Sequence, residues 1–173
     1  LIVCPASLVY NWESEILRFA PDLTVKVAVG NSRQREEIIE HASKEDILVT
    51  SYDLLKRDLD LYKEKVFPYM VIDEAQYIKN PATQAAKAVK EIPAVHRLAL
   101  TGTPIENRLS DLWSIFDFIM PGYLYSYKKF REELEQPIVQ NEDRNAMERL
   151  KRMVNPFILR RKKQDVLKDL PDK

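Results

Sequence analysis

Asp73 and Glu74 stand side by side in the stretch Tyr69 to Asn80, which reads YMVIDEAQYIKN. The residues before them, Met70, Val71 and Ile72, form a short apolar run with β-branched members, suited to a strand buried on both faces. A polar turn carrying Lys79, Asn80 and Pro81 follows. Two adjacent carboxylates at the exit of a buried strand are costly unless something there compensates them. In a parallel sheet that exit is the carboxyl edge, where ligands bind. The chemistry that wants such a pair is phosphoryl transfer, in which one carboxylate holds Mg²⁺ and the other orients or deprotonates an attacking water. By itself the pair also suits a solvated acidic turn, so the surrounding elements have to decide.

Those elements alternate. Leu1 to Cys4 reads as a strand, followed by the turn Pro5-Ala6-Ser7 and a helix with Leu8, Trp12 and Ile16 on one face. Val25 to Val29 is the second strand, closed by Gly30-Asn31, and a charged helix runs from Ser32 to Ala42. Ile47 to Thr50 is the third strand, with Ser51, Tyr52 and a helix after it. Tyr69 to Asp73 is the fourth, then a small-residue helix from Ala82 to Lys90. Arg97 to Thr101 is the fifth, followed by Gly102-Thr103-Pro104 and a helix from Ser110 to Ile119. Such alternation with short connections predicts an α/β fold: a three-layer α/β/α parallel sheet over residues 1–122. Residues 123–173 read as a helical appendage. It has an aromatic and then charged segment, a loop from Pro137 to Asp143, an amphipathic helix from Arg144 to Val154 and a basic end.

Composition fits this picture. Of the 173 residues, 45% are hydrophobic and 31% charged, ordinary values for a soluble domain with a real core. No apolar run is long enough to span a membrane. The single cysteine, Cys4, rules out an intrachain disulfide framework and fits a reducing, intracellular compartment: cytoplasm or nucleoid in a bacterium, nucleus in a eukaryote. His41 and His96 offer no metal-ligand spacing. The formal net charge is zero, yet Arg144 to Lys173 holds ten Lys and Arg against four Asp and Glu, a net +6 that leaves −6 on the rest. A polyanionic partner should therefore meet the C-terminal quarter or local patches.

Four strand exits should open on one edge: Pro5-Ala6-Ser7, Thr50-Ser51-Tyr52, Asp73-Glu74 and Thr101-Gly102-Thr103. Three of them supply hydroxyls and backbone N–H groups near helix N-termini, which suits phosphate oxygens. Each Ser or Thr is by itself also an ordinary helix cap. The ordered set LIVCPASLVYNWESE, VTSYDLL, VIDEAQYIKN, LALTGTPIENRLSDLWSIFDFIMPG and PFILRRKKQDVLKDLP resembles the Swi/Snf family of helicase-like ATPases, superfamily-two motors that translocate on double-stranded DNA and remodel or displace bound proteins. LTGTPIENRLSDLW and PFILRR are specific to that family, whereas a DExx box alone fits any superfamily-two helicase.

The resemblance implies a RecA-like lobe of the P-loop NTPase type, with ATP as substrate, Mg²⁺ held by Asp73 and Glu74 as the base. It implies that Thr101, Gly102 and Thr103 couple nucleotide state to DNA contact, with Gln76 linking the box to them where the family usually has His. It places Ser7, with Trp12 nearby, and Thr50, Ser51 and Tyr52 along a DNA strand. It also assigns nucleic-acid contact to Lys79, Asn80, Asn107, Arg160 and Arg161. Trp12 and Trp113 also lie on apolar helix faces, where core anchoring is the plainer role. Pro156, Phe157, Ile158 and Leu159 are expected to anchor the basic run Arg160 to Lys163. Duplex DNA, DNA-bound proteins and a second motor lobe are the implied partners; a membrane is not. The sequence has no G-x-x-x-x-G-K-[ST] loop, and its three glycines precede no lysine. The expectation is therefore most of a first motor lobe without its ATP cradle, inactive alone, with the activity belonging to a longer parent. A catalytically silent binding module of the same fold and a DEAD/DEAH-type RNA helicase lobe are the alternatives; the TGTP and PFILRR segments argue against the latter.

Overall fold

A computed structural model describes residues 1–102 and 108–160. Thr103, Asn107 and Arg161, and the end of the basic run, lie outside the described residues. Five strands, β1 (Ile2–Cys4), β2 (Val25–Val27), β3 (Ile47–Ser51), β4 (Phe67–Ile72) and β5 (Ala94–Ala99), form one sheet in the order β2-β3-β1-β4-β5. All four pairings are parallel. β1 is central, with Val3 opposite both Thr50 and Ile72. Because every strand runs the same way, the exits of β1, β3, β4 and β5 share the carboxyl edge, as the alternation predicts.

Helices cover both faces, giving three layers. On one face α1 (Val9–Phe19) sets Val9, Trp12 and Ile16 against Ile2, Cys4 and Val49. On the other, Val3, Leu48, Met70 and Ile72 meet side chains from α2 (Ser32–Glu40), α3 (Tyr52–Arg57), α5 (Gln84–Glu91) and α6 (Leu109–Ile119), among them Ile39, Leu55, Val89 and Phe118. The short α4 (Leu59–Lys63) follows α3 and adds Tyr62 to that core.

Helix starts follow capping chemistry. Asn31 and Gln34 form a reciprocal capping box at α2. Gly30 precedes it at φ 98°, where a Cβ would lie 2.5 Å from Gln34 Oε1. Thr83 caps α5 through Ala86 N–H at 3.2 Å, which delays that helix past the expected Ala82. The last strand also shifts: β5 begins at Ala94 rather than Arg97, because β4 pairs with it from Phe67 opposite Ala94 onward.

The described residues divide into two compact units, the first being Leu1–Tyr127. It runs past residue 122 because Trp113, buried in α6, donates its indole N–H to Tyr125 C=O at 3.2 Å and packs its ring on Tyr127 at 5.0 Å. Trp113 is thus a core anchor.

The second unit begins at Lys128. Its amphipathic helix Arg144–Val154 is present, capped by Asp143 and burying Ala146, Leu150 and Val154. The expected loop from Pro137 to Asp143 is instead largely a helix, Gln136–Asn141, entered through a π turn at Arg131–Glu135. Pro137 follows directly on that π turn inside a continuous helical run, with Glu135 and Gln136 both in the right-handed helical conformation, so the proline does not break the helix. In the expected apolar anchor, Phe157 and Ile158 are about half exposed and Leu159 is 83% exposed. The preceding helix buries its last side chain at Val154, and after a short turn the backbone is extended by Ile158. Among the described residues, no helix is long and apolar enough to cross a membrane.

Candidate active site

The polypeptide leaves β4 at Asp73 and turns sharply. Glu74 adopts the left-handed conformation, φ 52° and ψ 55°, before a 3₁₀ turn at Ala75–Ile78. That region is unfavourable for a residue with a Cβ and costs on the order of 1–3 kcal/mol, so the surroundings must hold it. They do so at both ends. Ala75 N–H donates to Leu100 C=O at 2.8 Å, and Ser114 Oγ, fully buried in α6, donates to Ile78 C=O at 2.6 Å.

Asp73 is gripped on every polar atom. Its N–H donates to Val3 C=O at 2.8 Å, and its C=O accepts from Tyr52 Oη at 2.8 Å. Oδ1 accepts the Glu74 N–H at 2.8 Å, and Oδ2 accepts the indole N–H of Trp12 at 2.9 Å. The carboxylate stays partly exposed, and each oxygen keeps a lone-pair direction beyond its one donor. Such a group fits Mg²⁺, which is typically held by one or two carboxylates and completed by water and substrate phosphate.

Beyond Glu74 the contacts continue in line. Gln76 Nε2 donates to Glu74 Oε2 at 2.7 Å, and Gln76 Oε1 accepts from Thr101 Oγ1 at 3.0 Å. One amide side chain thus joins the carboxylate at the β4 exit to the hydroxyl at the β5 exit. Gly102 follows Thr101 and is exposed.

The Thr50-Ser51-Tyr52 set is placed differently from expectation. All three are buried, with exposures of 0%, 2% and 3%. Thr50 Oγ1 donates to Ala28 C=O, and Ser51 Oγ caps α3 through Leu54 N–H at 3.3 Å. Tyr52 stacks on Tyr77 with centroids 5.0 Å apart and planes at 4°. Burial, then the Asp73 carboxylate, push its phenol far above the ordinary range, so it remains a donor. These residues position the site from within; β-branching and polarity at a strand exit suit a cap and a core tether as well as an exposed contact.

Ser7 is exposed on the 3₁₀ turn Ala6–Leu8 that leads into α1. Lys79 and Asn80 are exposed too and line an open cavity of about 740 Å³ with Arg108, Ser110 and Asp111 at the start of α6. Arg108 and Ser114 are site residues the sequence reading missed. The only hint for Ser114 was a small polar residue inside the apolar run LWSIF. Arg160 lies in the second unit and is exposed.

Cys4 ends the central strand and is fully buried. Its thiol is pushed up to about 12, by burial first and by the Asp73 charge second. Because the shift is upward, the thiol stays protonated throughout the neutral range. Native protein at pH 8 should leave Cys4 unmodified by Ellman's reagent over hours, whereas urea-unfolded protein should react within minutes. Rapid native labelling would show that β1 opens locally.

A model of the SNF2-related domain matches residues 1–173. The chain is 45% identical over 184 residues to the TATA-binding protein-associated factor MOT1 of Saccharomyces cerevisiae, covering 100% of this chain and 10% of that protein. It is 39% identical over 176 residues to the putative ATP-dependent helicase/translocase YwqA of Bacillus subtilis, covering 100% and 19%. The solved Sulfolobus solfataricus SWI2/SNF2 ATPase core in complex with dsDNA superposes with a TM-score of 0.86 at 46% identity, over 98% of this chain and 35% of that one. The sheet is therefore RecA-like, as expected. The chain spans between 10% and 19% of these two curated relatives' length.

Proposed function

The chain belongs to the SNF2-related family, and from that membership we propose that it forms most of the first motor lobe of a DNA-dependent ATPase that translocates on double-stranded DNA and remodels or displaces bound proteins. The observation that carries this reading is the continuous contact line Asp73, Glu74, Gln76, Thr101 along the carboxyl edge of the sheet. A phosphoryl-transfer motor needs one carboxylate fixed for a metal, a second free to take a proton, and a route from that second group to the nucleic-acid side. Asp73 is the fixed one. Glu74 reaches its position because the left-handed backbone turns its side chain back toward Gln76. Gln76 then carries the state of Glu74 to Thr101 and the segment after it, Gly102 and Thr103.

Asp73 would hold Mg²⁺ together with the phosphates of ATP, and the metal would neutralise charge on the transferred group. Glu74 would take the proton of the attacking water. Ser7, Lys79 and Asn80 face solvent around the same edge and would meet the DNA backbone, joined by Arg108. Asn107, Arg160 and Arg161 belong to the same proposed contact set. Residues 123–173 would lead toward a second lobe, and the relatives' greater length leaves room for one and for further domains.

The test is ATP hydrolysis by the full-length protein with and without duplex DNA, in wild type and Gln76→Ala. Removing Gln76 deletes two hydrogen bonds between the β4 and β5 exits while leaving both carboxylates in place. DNA-stimulated turnover should fall at least about tenfold, and basal turnover much less, since the bond to Thr101 is an ordinary one of about 0.5–1.5 kcal/mol and the bond to the Glu74 carboxylate, being charge-assisted, about 1.5–3 kcal/mol. A wild-type protein that binds DNA yet hydrolyses no ATP would replace the motor by a binding module.

A further inference from the structure

Trp12 reaches Asp73 across 61 positions of sequence and from the opposite side of the sheet to Tyr52. Its ring is only partly buried, packed with Ile16 against Ile2, Cys4 and Val49. Packing there would be served equally by Phe or Leu. What only an indole adds at this place is an N–H, and its partner is one oxygen of the carboxylate assigned to the metal, at 2.9 Å. A hydrogen bond to an ionised acceptor is among the stronger ones and fixes the carboxylate's rotation, which its own Cα–Cβ bond leaves free. Tyr52 and Val3 hold only the backbone of Asp73, and the Glu74 N–H holds the other oxygen, Oδ1. Among the described residues, Trp12 is the one side chain that donates to the carboxylate itself.

We propose that Trp12 is a positioning residue of the nucleotide site, setting the orientation of the Asp73 carboxylate from a helix whose start faces the nucleic-acid side. α1 rises from the exposed turn that carries Ser7, and Trp12 stands five residues further on, about 8 Å along the axis. The proposal rests on the reading of Asp73 as the metal-holding group.

The experiment compares wild type, Trp12→Phe and Asp73→Asn in the full-length protein, measuring Mn²⁺ affinity in the presence of ATP by electron paramagnetic resonance. The Mg²⁺ dependence of turnover is measured alongside. Trp12→Phe should weaken Mn²⁺ binding roughly 10–100-fold, the usual effect of removing an outer partner of a metal ligand, and excess Mg²⁺ should recover most of the turnover. If the Phe variant does not fold, benzothienylalanine at position 12 keeps the ring's shape, lacks only the N–H, and should give the same shift. Unchanged Mn²⁺ affinity in the position-12 variants, with Asp73→Asn weakened, would reduce Trp12 to a packing residue and leave the motor reading intact. A loss of turnover that excess Mg²⁺ does not recover would overturn the proposal in the same way. Unchanged Mn²⁺ affinity in Asp73→Asn would remove Asp73 from the metal, and both readings with it.

Discussion

Glu74→Gln in the full-length protein is expected to lower ATP turnover by roughly 10²–10⁴-fold, the usual weight of a general base, while nucleotide binding stays close to normal. The geometry makes this substitution unusually clean. Gln has nearly the volume of Glu, and its amide oxygen can go on accepting from Gln76 Nε2, so the link to Thr101 need not break. The left-handed backbone at position 74 belongs to the turn and is held by Ala75 and Ile78 contacts that the side chain does not make. What disappears is the ability to take a proton. Single-turnover hydrolysis with fluorescent-nucleotide binding measured in parallel separates the two effects. Turnover at the wild-type rate would mean that Asp73 and Glu74 are an acidic turn. Weakened binding with unchanged single-turnover rate would assign Glu74 to the nucleotide's ground state instead.

The carboxylate pair was legible in the sequence because a strand must be apolar and its exit need not be: the change from Val71-Ile72 to Asp73-Glu74 marks both the end of β4 and the site. The parallel sheet was legible for a similar reason, since each strand is followed by a helix. The inner support was not. Tyr52 and Trp12 are amphipathic side chains with one polar atom each, and sequence does not reveal whether that atom faces water, DNA or a buried carboxylate. Tyr52 holds the Asp73 carbonyl and Trp12 its carboxylate, so two residues read as nucleic-acid contact or core turn out to surround the same aspartate. Pro137 misled for another reason, because a proline that would ordinarily end a helix here sits inside a continuous one, directly after a π turn.

A buried ion pair escaped the sequence altogether. Arg35 lies in α2, which the sequence showed only as a charged helix, and Asp58 lies between two short helices. Both side chains are more than nine-tenths buried, at 7% and 6% exposure. Arg35 Nε and Nη2 donate to the two Asp58 oxygens at 2.6 and 2.8 Å, and Nη1 donates to Gly30 C=O at 2.6 Å. The fork is thus satisfied on three nitrogens and joins α2 and its capping turn to the junction of α3 and α4. Hydrogen bonding to Asp58 holds the guanidinium above its already high ordinary value, so it is charged at every pH at which the fold exists.

Removing one partner should leave the other charged and buried. Arg35→Ala, like Asp58→Ala, is therefore expected to lower stability by about 3–5 kcal/mol. Replacing both by apolar residues of similar volume, Arg35→Met with Asp58→Leu, should recover most of that loss, because a buried pair has to be desolvated before its members attract and apolar packing does not. Urea unfolding followed by circular dichroism measures all three variants, and the positive coupling between the two positions is the diagnostic quantity. Losses below about 1 kcal/mol in the single variants, with additive behaviour in the double, would show that water reaches the pair and that it behaves as an ordinary surface bridge. A double variant as unstable as the singles would instead place the contribution in the Gly30 carbonyl contact, which Met cannot replace and which fixes the turn into α2.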